Sequence, residues 1–124
     1  MTMNLEFSTY YPDKEDKPER LVIFLHGYGA NGADLLSLAP KWAKYLPKTL
    51  FLAPNAPHRC PGLADGYMWF DLPDLDPENI SRSAQKVLPA VEKAVQAEQE
   101  KHGIGHENTA LVGFSQGAMM SLGL

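Results

Sequence analysis

Three short apolar runs constrain this chain more than any other feature of it. LVIFL occupies residues 21–25, TLFLA residues 49–53 and TALVGF residues 109–114. A strand with one face in water alternates apolar and polar residues. These runs do not alternate, so each reads as a strand buried on both faces, as in a parallel sheet covered by helices. The segments between them carry helical patterns. Residues 31–45 place Leu35, Leu36, Leu38, Ala39, Trp42 and Tyr45 close to helical spacing, with Pro40 expected to divide the helix. Residues 77–102 place Ile80, Ala84, Val87, Leu88, Val91, Ala94 and Val95 on one stripe. Asp76 can cap that helix, Pro77 suits its first position and Glu78 complements the positive end of its dipole. Gly103 can close it in the left-handed conformation, and Pro89 is expected to bend it. Strand, helix, strand, helix, strand, helix predicts an α/β fold, and the length of 124 residues predicts a single domain over 1–124.

Two further segments read as loops. PDKEDKPER at residues 12–20 is charged and solvated, and residues 54–77 are rich in Pro and Gly. A loop of the second one's length is often functional. Eleven basic against fifteen acidic side chains give a net charge of −4 with no basic cluster, which argues against nucleic acid as a partner. The one cysteine, Cys60, cannot form an internal disulfide, which fits a reducing compartment. The amino terminus has no basic region followed by an apolar run, and no stretch approaches the length of a membrane span. A cytoplasmic protein without a membrane span is the expectation.

The chemistry begins at Gly113-Phe-Ser-Gln-Gly117, a G-x-S-x-G between the third strand and a small-residue helix. In such an elbow the serine sits in a strained turn that projects its Oγ out of the sheet. Gly113 and Gly117 are required because a Cβ there would crowd the adjoining strand and helix. The helix N-terminus behind Ser115 offers N–H groups to a developing oxyanion. The alternative is a glycine-rich turn with a bystander serine. A second motif, Leu25-His-Gly-Tyr-Gly29, follows the first strand where this architecture places its other oxyanion donor. Gly27 and Gly29 let the backbone turn there. The backbone N–H groups of Tyr28 and Gln116 are the expected donors, leaving the Gln116 side chain dispensable. His26 has two readings, a structural histidine pinning the loop or a general base.

LHGYGANG at 25–32, APNAP at 53–57, WFD at 69–71 and GFSQGAMM at 113–120 together resemble the phospholipase/carboxylesterase family, the acyl-protein thioesterase-like branch of the α/β-hydrolases. The resemblance implies a mostly parallel sheet with helices on both faces. It implies a Ser-Asp-His esterase acting on small-molecule carboxylic esters or thioesters, with no cofactor and no metal. Ser115 would be the nucleophile, Tyr28 and Gln116 the oxyanion hole, and Trp69 and Phe70 the lining of the acyl pocket. Plain core packing is the other reading of those two aromatics.

In these hydrolases Asp and His follow the serine, and no such pair follows Ser115 here. His102 and His106 precede the third strand, which separates them from Ser115 by on the order of 20 Å. His58 lies in the long loop with no aspartate obviously placed to orient it. The expectation is the amino-terminal half of an α/β-hydrolase domain, truncated after the nucleophile elbow. Three readings follow: an esterase whose sequence is incomplete, a non-catalytic remnant that binds acyl groups or a partner, or a half-enzyme completed by a second chain. A homodimer is compatible with each.

Overall fold

The computed structural model describes residues 5–13, 16–72 and 74–123. Residues 1–4, Lys14, Glu15, Pro73 and Leu124 lie outside the described residues.

The three apolar runs form strands β2 (Arg20–Leu25), β3 (Thr49–Pro54) and β6 (Thr109–Gly113). A short strand near the amino terminus, β1 (Phe7–Tyr10), joins them in a four-stranded sheet of order β1-β3-β2-β6. β2 runs parallel to both β3 and β6, whereas β1 is antiparallel to β3. β1 was not visible in the sequence, because a four-residue segment with mixed polarity carries too little pattern to stand out.

Side chains alternate across the sheet and build one core on each face. Leu21, Ile23, Leu25, Leu50 and Leu52 face one way, and Val22, Phe24, Phe51 and Ala53 the other. The second face is covered by α1 (Gly32–Leu36) and α2 (Ala39–Ala43), through Leu35, Leu36, Ala39 and Trp42. Pro40 divides the expected helix, sitting in the first turn of α2, where its missing N–H costs nothing. Asn31 caps α1 by accepting from the Asp34 N–H at 2.8 Å. The first face is covered by α3 (Pro77–His102) and α4 (Gln116–Gly123). Helices thus lie on both faces of a mostly parallel sheet.

α3 starts and stops where its residues indicate. The Asp76 carboxylate accepts from the Glu78 N–H at 2.9 Å, and Gly103 closes the helix at φ 65°. Val87, Val91 and Val95 are its buried stripe. Gln99 extends that stripe as a buried polar residue, donating from Nε2 to Thr109 Oγ1 at 3.0 Å.

Two expectations are corrected. Strand β6 is not buried on both faces: it is the outer strand of the described sheet, with Ala110 exposed and its other residues half-buried. The stretch 54–77 is not structureless: it contains a two-stranded hairpin, β4 (His58–Arg59) and β5 (Tyr67–Met68), and Tyr67 bridges to Ala30. Two-residue strands are set by these tertiary pairings and not by any periodicity.

α3 continues through Pro89, whose side is exposed. An interior proline removes one helix hydrogen bond and crowds the preceding turn, and no buried contact offsets this. Pro89→Ala is therefore expected to raise stability by about 1–3 kcal/mol in urea denaturation. An unchanged or lower midpoint would show that the chain requires the proline's local geometry.

Candidate active site

Parallel strands deliver their following loops to the same end of the sheet, where α/β folds place their sites. In the β2–β6 register Leu25 lies opposite Gly113, so the turn after each strand starts at the same level. The Phe114 N–H donates to the Leu25 carbonyl at 3.1 Å, carrying the pairing one residue past the strand. Ser115 follows at φ 54°, a left-handed conformation that serine rarely adopts, and it is exposed. Such strain costs on the order of 1–3 kcal/mol and persists only where the surroundings impose it.

The glycines allow the close approach. A Cβ on Gly117 would overlap the carbonyl oxygen of Leu25, and one on Gly113 would meet the Ala118 Cα at 2.6 Å. A Cβ on Gly27 would meet both Ser115 Cβ and the Phe114 carbonyl oxygen at 3.2 Å, so the loop after β2 faces the serine directly. Gly29 turns that loop at φ +82°. Its N–H donates to the Tyr67 carbonyl at 2.9 Å, and the Ala30 N–H donates to the Gly27 carbonyl at 3.2 Å. In the elbow the Gly117 N–H donates to the Phe114 carbonyl and the Ala118 N–H to the Ser115 carbonyl. Among the described residues, the N–H groups of Tyr28 and Gln116 donate to no protein acceptor. These two are the expected oxyanion donors, and the N–H groups of Gly27 and Ser115 likewise donate to no protein acceptor among the described residues.

His26 is wholly buried with both ring nitrogens occupied. Nδ1 donates to its neighbour's carbonyl, Gly27, at 2.8 Å, and Nε2 accepts the Ala56 N–H at 2.9 Å. The partners fix the tautomer, since a carbonyl only accepts and an amide N–H only donates. Burial holds its pKa below the ordinary 6.5, against the Gly27 bond and the charge of Asp34. These contacts are those of a histidine pinning the loop. Tyr28 is exposed, and its phenol is held above its ordinary 10.0 mainly by desolvation, with Cys60 and Asp71 acting in the same direction.

Trp69 and Phe70 belong to the core and are almost wholly buried. The Trp69 indole Nε1 donates to the His26 carbonyl at 2.7 Å. Both also border an open apolar cavity of about 370 Å³, shared with His58, Met68, Asp71 and Val87. The other expected histidines are elsewhere. His106, in the turn before β6, contacts the Gln99 Nε2 at 3.0 Å, and His102 at the end of α3 pairs with Glu98 at 3.5 Å. The whole of β6 stands between them and Ser115. His58 is exposed on β4. Among the described residues no group of three or more His, Cys, Asp or Glu could hold a metal ion, and no helix is long and apolar enough to cross a membrane.

The sequence reading missed one polar group. The Gln116 side chain is buried: its Oε1 accepts the Trp69 N–H at 3.0 Å and its Nε2 donates to the Phe70 carbonyl at 2.8 Å. It is not dispensable, since its truncation would orphan two buried backbone groups. A glutamine at the start of a helix gives no hint of this, because both partners come from a segment far away in the chain.

The sequence pattern of the phospholipase/carboxylesterase family matches residues 12–124. Esterase YpfH of Escherichia coli is 30% identical over 108 residues, which cover 86% of this chain and 46% of that protein. Acyl-protein thioesterase 1 of Cryptococcus neoformans is 33% identical over 109 residues, covering 82% of this chain and 45% of the relative. Among solved structures, esterase PE8 matches with a TM-score of 0.85 at 39% identity, over 95% of this chain and 55% of that one. The phospholipase/carboxylesterase of Dyadobacter fermentans matches with a TM-score of 0.62 at 25% identity, over 98% of this chain and 53% of that one. This chain spans about half the length of the curated relatives it matches. A family pattern running from residue 12 through the elbow, on a sheet that sets the elbow against the loop after β2, makes the chain a member of the phospholipase/carboxylesterase family of α/β-hydrolases.

Proposed function

We propose that this chain is the nucleophile-bearing part of a serine esterase that cleaves carboxylic esters or thioesters, with Asp and His supplied from outside the 124 residues. The observation that carries the reading is Ser115: exposed, held at φ 54° and facing the Cβ-free side of Gly27. Family membership and relatives named esterase and acyl-protein thioesterase support the substrate class.

In the proposed reaction Ser115 Oγ attacks the substrate's carbonyl carbon while the base takes the hydroxyl proton. The carbonyl electron pair moves onto oxygen, where the N–H groups of Tyr28 and Gln116 stabilise it. Collapse expels the alcohol or thiol, which receives the proton from the base. Water then cleaves the acyl-serine by the same steps. The apolar cavity beside Trp69 and Phe70 receives the acyl group. No cofactor takes part.

His26 is not the base in this scheme. Its Nε2 is occupied by the Ala56 N–H and its ring lies beneath the loop. His58, His102 and His106 have no contact with the elbow among the described hydrogen bonds. A serine hydroxyl without a base is a weak nucleophile. The alternative of a half-enzyme completed by a second chain differs only in where the Asp and His reside.

A fluorophosphonate probe tests the reading. Ser115 in the isolated chain is expected to label slowly, to label faster when a carboxy-terminal polypeptide of a family member supplies Asp and His, and not to label as Ser115→Ala. Rapid stoichiometric labelling of the isolated chain, lost in His26→Ala or His58→Ala, would place the base within these residues. With the complement present, Ser115→Ala is expected to abolish ester turnover, a loss on the order of 10⁶ in kcat by the serine-protease precedent.

The buried neutral state of His26 has its own signature. Its folded-state pKa lies below the ordinary 6.5, so the unfolded chain takes up the proton first as the pH falls. Stability from His26 is fully present above 6.5 and is lost as pH falls below it. The difference in urea midpoint between the native chain and His26→Gln is expected to shrink from about pH 8 to about pH 5. A difference independent of pH would contradict a neutral buried ring.

A further inference from the structure

Segment 67–71 touches both halves of the candidate site by different means. To the elbow it is tied through the Gln116 carboxamide, which accepts the Trp69 N–H and donates to the Phe70 carbonyl. To the loop after β2 it is tied through Tyr67, whose carbonyl accepts the Gly29 N–H at 2.9 Å and whose N–H donates to the Ala30 carbonyl at 2.8 Å. The Trp69 indole adds a third bond, to the His26 carbonyl at 2.7 Å. Gly27 closes the ring by facing Ser115. The path elbow, Gln116 side chain, Trp69, Tyr67, Gly29, Gly27 and back to the elbow is therefore continuous.

We infer that Gln116 is a positioning residue through its side chain: the carboxamide sets segment 67–71, which in turn holds the Tyr28 N–H at a fixed place relative to the Gln116 N–H. This rests on the oxyanion role proposed above for those two N–H groups. Three facts favour positioning over simple packing. Gln116 is wholly buried although a hydrocarbon side chain would fill that space at lower desolvation cost. Both ends of the amide are matched, acceptor to N–H and donor to carbonyl, which fixes its orientation. The two bonds go to consecutive residues of one segment, so they set its register as well as its distance. One residue would thus supply an oxyanion donor with its backbone and align the other donor with its side chain.

Amide hydrogen exchange on the 124-residue chain tests the coupling without any catalysis. Gln116→Met keeps the approximate volume and removes both hydrogen bonds. Exchange at Trp69 is expected to accelerate roughly 10- to 100-fold, because orphaned buried groups are costly. The decisive readout is at the far end of the path: Gly29 exchange is expected to accelerate with it and the Tyr28 amide resonance to shift, while Ile23 and Leu52 in the sheet stay protected. Loss at Trp69 with Gly29 and Tyr28 unchanged would overturn the inference, as would a uniform loss across the sheet. If the variant does not fold, the native chain decides the matter. Across low denaturant concentrations the Trp69 and Gly29 amides are expected to follow one common opening curve, distinct from that of Ile23, and separate curves would overturn the inference. Failure here leaves the esterase reading standing, and failure of the Ser115 labelling test leaves this coupling standing.

Discussion

The parallel pairing of β2 with β6, with Leu25 opposite Gly113, is the contact on which the rest of the site depends. Parallel strands end at the same side of a sheet, so two turns distant in sequence emerge side by side. The bond from the Phe114 N–H to the Leu25 carbonyl carries the ladder past the last strand residue and fixes the height of the elbow. Gly117 then lets the first turn of α4 rest against that same carbonyl, which any larger residue would displace. Shifting the register by one residue would turn Ile23 and Leu25 to the opposite face and separate the serine from the loop that faces it.

Two short loops have little rigidity of their own, and here a third segment supplies it. Residues 56–70 lie across the strand ends and exchange hydrogen bonds with His26, Gly29, Ala30 and Gln116. Every group in this network is neutral, so burial costs no ionic desolvation. Among the described residues no buried side-chain N or O atom lacks a partner. Beside this network the N–H groups of Tyr28 and Gln116 donate to no protein acceptor among the described residues. In the oxyanion role proposed for them, such donors would need no reorganisation when charge develops on a substrate.

The outer side of the sheet contrasts with this order. β6 is half-buried where β2 is buried, and Phe114, Met119 and Leu122 are exposed apolar residues on and after the elbow. The relatives matched over most of this chain are about twice as long. The esterase reading accordingly draws its acid and base from outside these residues.

Much of this was legible in the sequence by itself. Apolar runs without alternation specified β2 and β3, because a strand between two helical layers has no solvent face on which to place polar residues. Local chemistry specified the ends of α3: a carboxylate before Pro77 and a glycine after His102 act within one turn of themselves. The G-x-S-x-G and H-G-Y-G motifs specified the two turns, since their backbone shapes require glycine at set positions. What only the tertiary structure decided is whatever depends on partners distant in the chain. β1, the β4–β5 hairpin, the exposed edge of β6, the tautomer of His26 and the two bonds of the Gln116 side chain all belong there. Their residues are individually unremarkable, and their roles come from a carbonyl or an N–H that folding brings within 3 Å from another segment.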